Sequence, residues 1–182
     1  VSSAASDVYK RQLCSNTTGV FNIGIGYYSL RANTTGIKNI AIGYNALYTN
    51  TNGNNNLAQG YKALLFNTNG SNNIAQGACA LYNNTTGVNN LAQGYQALYC
   101  TTTGKDNVAI GYRTLFYNTY GCGNVAIGNQ VLYCNTSGSN NIAVGCKALF
   151  NNTTGNNNIA QGYQSLISNT SGYGNIGLGK FS

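Results

Sequence analysis

The side chains able to do chemistry in this chain are few. There is no histidine, and the only carboxylates are Asp7 and Asp106. Acid–base and nucleophilic catalysis need titratable groups held beside one another. No carboxylate pair, Ser/His/Asp set or Cys/His set can be assembled here, so the sequence points away from an enzyme. No G-K-[ST] follows the recurrent glycines, which leaves no P-loop for phosphates. The six cysteines (Cys14, Cys79, Cys100, Cys122, Cys134 and Cys146) contain no C-x-x-C pair, and no metal or cofactor site is expected. Cys100 and Cys134 stand two repeats apart, ~9.5 Å by strand spacing, beyond the reach of a disulfide.

The abundant chemistry is amide, hydroxyl and aromatic, and it recurs. Glycine stands at every 17th position from Gly26 to Gly179, and again from Gly19 to Gly172, without a slip. The consensus unit is N-T-T-G-x-N-N-I-A-x-G-Y-x-A-L-Y-x. A period this strict marks one supersecondary unit stacked on itself. Seventeen residues are too few for a helical pair, which needs about 34. The expected fold is all-β, a parallel β-solenoid (β-roll) of about ten such coils stacked at ~4.8 Å. Two short strands per coil are expected, near residues 39–44 and 46–50. One turn follows Gly43, and the other is at Thr51-Asn52-Gly53, where glycine suits a positive φ.

Each column of the repeat has a reading. The aliphatic column containing Ile40 and Ile74 and the leucine column of Leu47, Leu64, Leu81 and Leu98 are expected to form one core. Asn39, Asn56, Asn73 and Asn90, with Thr51, Thr68 and Thr85, read as structural ladders. An asparagine in such a stack donates to one neighbour and accepts from the other. A second asparagine column, through Asn33, Asn50 and Asn67, breaks only at Thr101. The column from Ala41 to Ala160 admits nothing larger than alanine, so it should be buried against the opposite wall or a sister chain. Tyr48, Tyr82, Tyr99, Phe116, Tyr133 and Phe150 share a column that could serve as an adhesive stripe, and Tyr44, Tyr61 and Tyr95 share another.

The net charge of +7 arises mainly because acids are missing. Arg31, Lys38, Lys62, Lys105, Arg113, Lys147 and Lys180 are scattered singly along the sequence, so the charge reads as solubilising and nucleic-acid binding is not expected. No run of 18 apolar residues crosses a membrane as a helix, and no signal peptide opens the chain. The chain lacks an initiator methionine and its first and last coils are incomplete, so it reads as a fragment. Residues 1–12 stand outside the repeat and read as a non-native or disordered leader. Residues 13–182 read as one solenoid domain truncated at both ends.

Asn39-Ile40-Ala41-Ile42-Gly43, Asn107-Val108-Ala109-Ile110-Gly111 and Asn124-Val125-Ala126-Ile127-Gly128 resemble the S-V-A-I-G motif of trimeric autotransporter adhesin heads. Similar repeats occur in phage and viral tail-fibre-like proteins. The resemblance covers residues 13–179. It implies a left-handed parallel β-roll, assembled as a trimer, on a cell or virion surface. The present repeat is longer than the adhesin repeat, and Gln59, Gln76, Gln93 and Gln161 stand where the motif has isoleucine. The function expected is a structural or adhesive rod. Its partners would be copies of itself, as a homotrimer or an end-to-end fibre, and a host surface receptor or glycan, with no membrane insertion. The alternatives are an amyloid-like extracellular fibre subunit and an ice-binding solenoid built on the threonine column.

Overall fold

A computed structural model describes residues 11–182, so Asp7 and most of the leader lie outside the described residues. Ten three-residue strands recur every 17 residues, from β1 (Ile23–Ile25) and β2 (Ile40–Ile42), through β5 (Leu91–Gln93) and β6 (Val108–Ile110), to β10 (Ile176–Leu178). They form one parallel sheet in sequence order. Each strand pairs with the next in equivalent register, for example Ile40↔Leu57, Ala41↔Ala58 and Ile42↔Gln59. The molecule is a β-solenoid of about nine turns, ~43 Å long at ~4.8 Å per coil. Stacking extends to Leu13, whose N–H donates to Ser29 O at 3.3 Å.

Only one of the two strands expected in each coil forms. Residues 44–49 make a turn in place of the expected second strand. The cause is a pair of left-handed residues on either side of a buried alanine: Asn45 has φ 54° and Leu47 φ 50°. The same two columns are left-handed in the other coils, through Lys62 and Leu64, Gln96 and Leu98, and Gln130 and Leu132. A third left-handed column contains Asn55, Asn72 and Asn89. Inter-coil hydrogen bonding survives this change of conformation. Leu47 N donates to Ala63 O at 3.0 Å, and Thr49 N to Leu65 O at 3.1 Å.

The left-handed conformation explains why the core column is leucine at every coil. Ten leucines from Leu13 to Leu166 have φ between 48° and 53°. An L-residue in this region carries roughly 1–2 kcal/mol of strain. A β-branched side chain fits it worst. Valine and isoleucine, freely used in the strand, never enter the leucine column.

The expected core needs one correction. The leucine column is buried, but the aliphatic column of the strand is not. Ile74 is 39% and Ile142 46% exposed, and Ile40, Leu57 and Leu91 are half-buried. Successive strand residues face opposite sides, and here alanine faces inward. Every alanine from Ala41 to Ala160 in this column is fully buried. The opposing wall is its own coil. At Gly177, the glycine of that column, an added Cβ would sit 2.7 Å from Leu166 Cγ and 2.8 Å from Ser165 Oγ. Ala41, Ala46 and Leu47 and their equivalents form one cluster along the rod.

Gly53 and its equivalents also differ from expectation. They are not among the glycines with positive φ, which include Gly43 at 133°. A Cβ on Gly53 would lie 2.3 Å from Gly70 O and 2.4 Å from Asn50 Oδ1. This column is glycine because the next coil's backbone approaches too closely for a side chain.

Two outcomes follow. Replacing Ala92 and Ala109 with glutamine should lower stability by ~1–3 kcal/mol per site, because the inner space is already filled; a melting temperature equal to that of the unsubstituted chain would refute the packing. Leu98→Ile, which conserves volume, should cost more than the ~1.5 kcal/mol usual for such swaps, since β-branching is placed at φ 53°. Denaturant titration measures both.

Candidate functional site: polar ladders and an aromatic–cation face

The inner polar residues form two ladders that meet on one row of carbonyls. Asn50 Nδ2 donates to Asn33 Oδ1 at 2.7 Å and to Gly53 O at 3.0 Å. Asn39 Nδ2 donates to Asn22 Oδ1 at 3.2 Å and to the same Gly53 O at 2.8 Å. Asn39 N also donates to Asn22 Oδ1 at 3.0 Å. The pattern repeats through Asn56, Asn73 and Asn90, all buried. These residues have no amide group left for a ligand.

The threonine ladder works through the backbone. Thr34 Oγ1 donates to Thr51 O at 3.0 Å, and Thr34 N, Thr35 N and Gly36 N point to the same oxygen. Thr51 and Thr68 repeat the hydroxyl bond onto Thr68 O and Thr85 O, and Thr85 onto Thr102 O. Each hydroxyl proton is thereby committed within the rod, so the geometry does not favour the free threonine array that ice binding would use.

The ladder defect is at Thr101. Asn84 Oδ1 and Thr101 Oγ1 are both buried without a hydrogen-bond partner. In other coils the next asparagine would donate to that Oδ1, as Asn84 Nδ2 does to Asn67 Oδ1 at 2.7 Å.

The outer side chains divide by face. One face joins three neighbouring columns. Tyr82, Tyr99, Phe116, Tyr133 and Phe150 stack at centroid separations of 4.9–5.2 Å with their planes within 16°. Tyr48, in the same column, meets Tyr28 edge-on. Tyr27, Tyr44 and Tyr61 stack in a second column, as do Tyr95 and Tyr112. Between these aromatic columns runs one of long polar side chains. Arg113 belongs to it, 5.3 Å from the Tyr112 centroid and 5.5 Å from that of Phe116.

The structure gathers the cations that looked scattered in the sequence. Arg11, Lys62, Arg113 and Lys147 occupy the middle column, and Arg31 and Lys180 the aromatic columns beside it. Each lies 4.7–5.7 Å from a ring centroid. Arg31 also donates from Nη1 to the Tyr48 hydroxyl, and Arg113 Nε donates to Gln96 Oε1 at 2.8 Å. A hydrogen bond with Tyr61 raises the Lys62 pKa above its ordinary value, and one with Tyr28 does the same for Arg11. Folding the sequence at its period of 17 shows the middle column, a signal that linear spacing hides.

The cysteines are free. Burial pushes the Cys79, Cys100 and Cys134 thiols up, the direction opposite to an activated nucleophile. Among the described residues no three His, Cys, Asp or Glu side chains come together, and no helix is long and apolar enough to cross a membrane. No protein-family model, curated protein or solved structure matches the chain.

Thr101→Asn should restore donation to Asn84 Oδ1 and raise stability by ~1–3 kcal/mol, the cost of an unsatisfied buried polar group. Calorimetry checks this, and an unchanged or lower melting temperature would show that the break is not a defect.

Proposed function

We propose that this chain is a non-catalytic rod segment of a surface adhesin or virion fibre, assembled laterally from copies of itself. The observation that carries the reading is the outer face of the sheet. Its two outward columns hold Ile, Leu and Val at one position and Ile, Val, Leu or Gln at the other, with no charge in any of ten coils. Ile74, Ile127 and Ile142 are 38–46% exposed. A long uncharged strip with one continuous aliphatic column is the kind of surface that water-soluble chains cover with a partner. Copies of the same rod have the matching period of ~4.8 Å. The resemblance to adhesin heads supports a homotrimer outside the cell.

A second reading, an amyloid-like fibre subunit, is favoured by the in-register stacking of identical asparagines, threonines and aromatics, the arrangement that stabilises cross-β fibres.

Analytical ultracentrifugation distinguishes these readings. The lateral rod should have a mass that is a small fixed multiple of the single chain, three for a trimer. Leu91→Lys with Val108→Lys should reduce it to the single chain while leaving the circular dichroism spectrum unchanged. Open-ended growth with concentration would favour the amyloid-like fibre instead. A single chain at all concentrations would refute both.

A further inference from the structure

Six of the eight Lys and Arg residues in the described chain lie on the aromatic face, which has no carboxylate side chain. Lys38 and Lys105 lie in other columns. Asp106, the one carboxylate side chain among the described residues, is also elsewhere, and accepts from Asn89 Nδ2 at 2.9 Å. The asymmetry gives one long side of the rod a positive field unrelieved by acids.

The spacing of these charges narrows the partner. Lys62 and Arg113 are three coils apart, ~14 Å, and Arg113 and Lys147 two coils, ~10 Å. Gln96, Gln130 and Gln164 alternate with them in the same column. Aromatic columns run on both sides; in one of them, which is interrupted at Ala78, Asn129 and Cys146, Tyr44, Tyr61, Tyr95 and Tyr112 are 43–50% exposed. The surface therefore offers sparse cations for acidic groups, and glutamine amides and tyrosine hydroxyls for sugar hydroxyls. We infer that this face binds a linear acidic polysaccharide along the rod, its hydroxyls at the glutamine amides and tyrosine hydroxyls and its carboxylates at Lys62, Arg113 and Lys147. The inference rests on the adhesive reading above and gives it a ligand class.

Nucleic acid fits the same surface less well. A single strand is held by bases stacking on open aromatic faces. Within the aromatic runs the ring faces are covered by one another, as Tyr99 on Phe116 with planes 3° apart. Duplex DNA presents a charge every ~1.7 Å along its axis, much denser than these cations.

The test is titration of the full chain with alginate, a polymer of uronic acids, with neutral dextran and single-stranded poly(dT) alongside. Alginate should bind with an affinity that falls as salt rises, and dextran should not bind. The triple variant Lys62→Gln/Arg113→Gln/Lys147→Gln should lose between about threefold and a hundredfold in affinity, the range for three exposed ion pairs. Lys38→Gln/Lys105→Gln should retain it. Equal loss in both variants would mean attraction to net charge alone and would overturn the proposal, as would tighter binding of poly(dT) than of alginate. Sedimentation of the free protein in the same samples separates the two readings. A fixed oligomer without alginate binding sinks the polysaccharide inference only. A single chain that binds alginate through the three cations sinks lateral assembly only.

Discussion

The carbonyl of one glycine per coil sets the terms for the rest of the rod. Gly53 O receives Asn50 Nδ2 and Asn39 Nδ2 from its own coil, and each of those amides also bonds to the asparagine one coil earlier. Two buried ladders are therefore tied together within the coils and between them, except where Thr101 interrupts one. A buried amide left unpaired costs ~1–3 kcal/mol, so a shift of stacking by even one residue would orphan a whole column at once. The ladders fix register more strictly than an apolar core could, because apolar contacts are non-directional.

This constraint accounts for how little apolar bulk lies inside. The interior holds mainly alanine and one leucine per coil beside the asparagines. Stacking identical coils at strand spacing leaves each side chain against its own copy, which suits flat amides, small methyls and parallel rings. The leucine must reach across from a turn, and its left-handed backbone aims it there at the cost of strain. Backbone hydrogen bonds to the next coil offset that strain, since Leu47 N and Thr49 N both find acceptors despite the broken strand.

The repeat, the solenoid, the asparagine ladders, the leucine column and the burial of alanine could all be read from the sequence, because each is a matter of period and residue type. The missing second strand could not. Its deciding residues, Asn45, Lys62, Gln96 and Arg113, share a positive φ but no side-chain chemistry that announces it. The Asn55, Asn72 and Asn89 column is different, since asparagine favours that conformation. The aliphatic column was misplaced for another reason. In Ile40-Ala41-Ile42 the bulky residues look like the core, and only the closeness of the opposite wall shows that the small one must point inward. The candidate binding face was half legible. Its aromatics formed evident columns, but its cations came together only once the chain was wound at its period.

Winding also gives the rod two outer surfaces with different demands. The sheet face is uncharged, with one column wholly aliphatic and the other divided between aliphatics and Gln59, Gln76, Gln93 and Gln161, and is best served by another periodic surface that also pairs those amides. The aromatic face has stacked rings whose edges, hydroxyls and neighbouring cations remain hydrated and gain from polar, anionic company. A trimer that covered the aromatic face would have to desolvate Lys62, Arg113 and Lys147 with no carboxylate side chain on that face of any copy to pair with them, a heavy cost for buried charge. Covering the sheet face carries no such cost. The distribution of charge thus lets the proposed self-assembly and the proposed polysaccharide use different sides of the rod. It does so at intervals along the rod, with cations on the aromatic side from Arg11 to Lys180 and none in the two outward columns of the sheet.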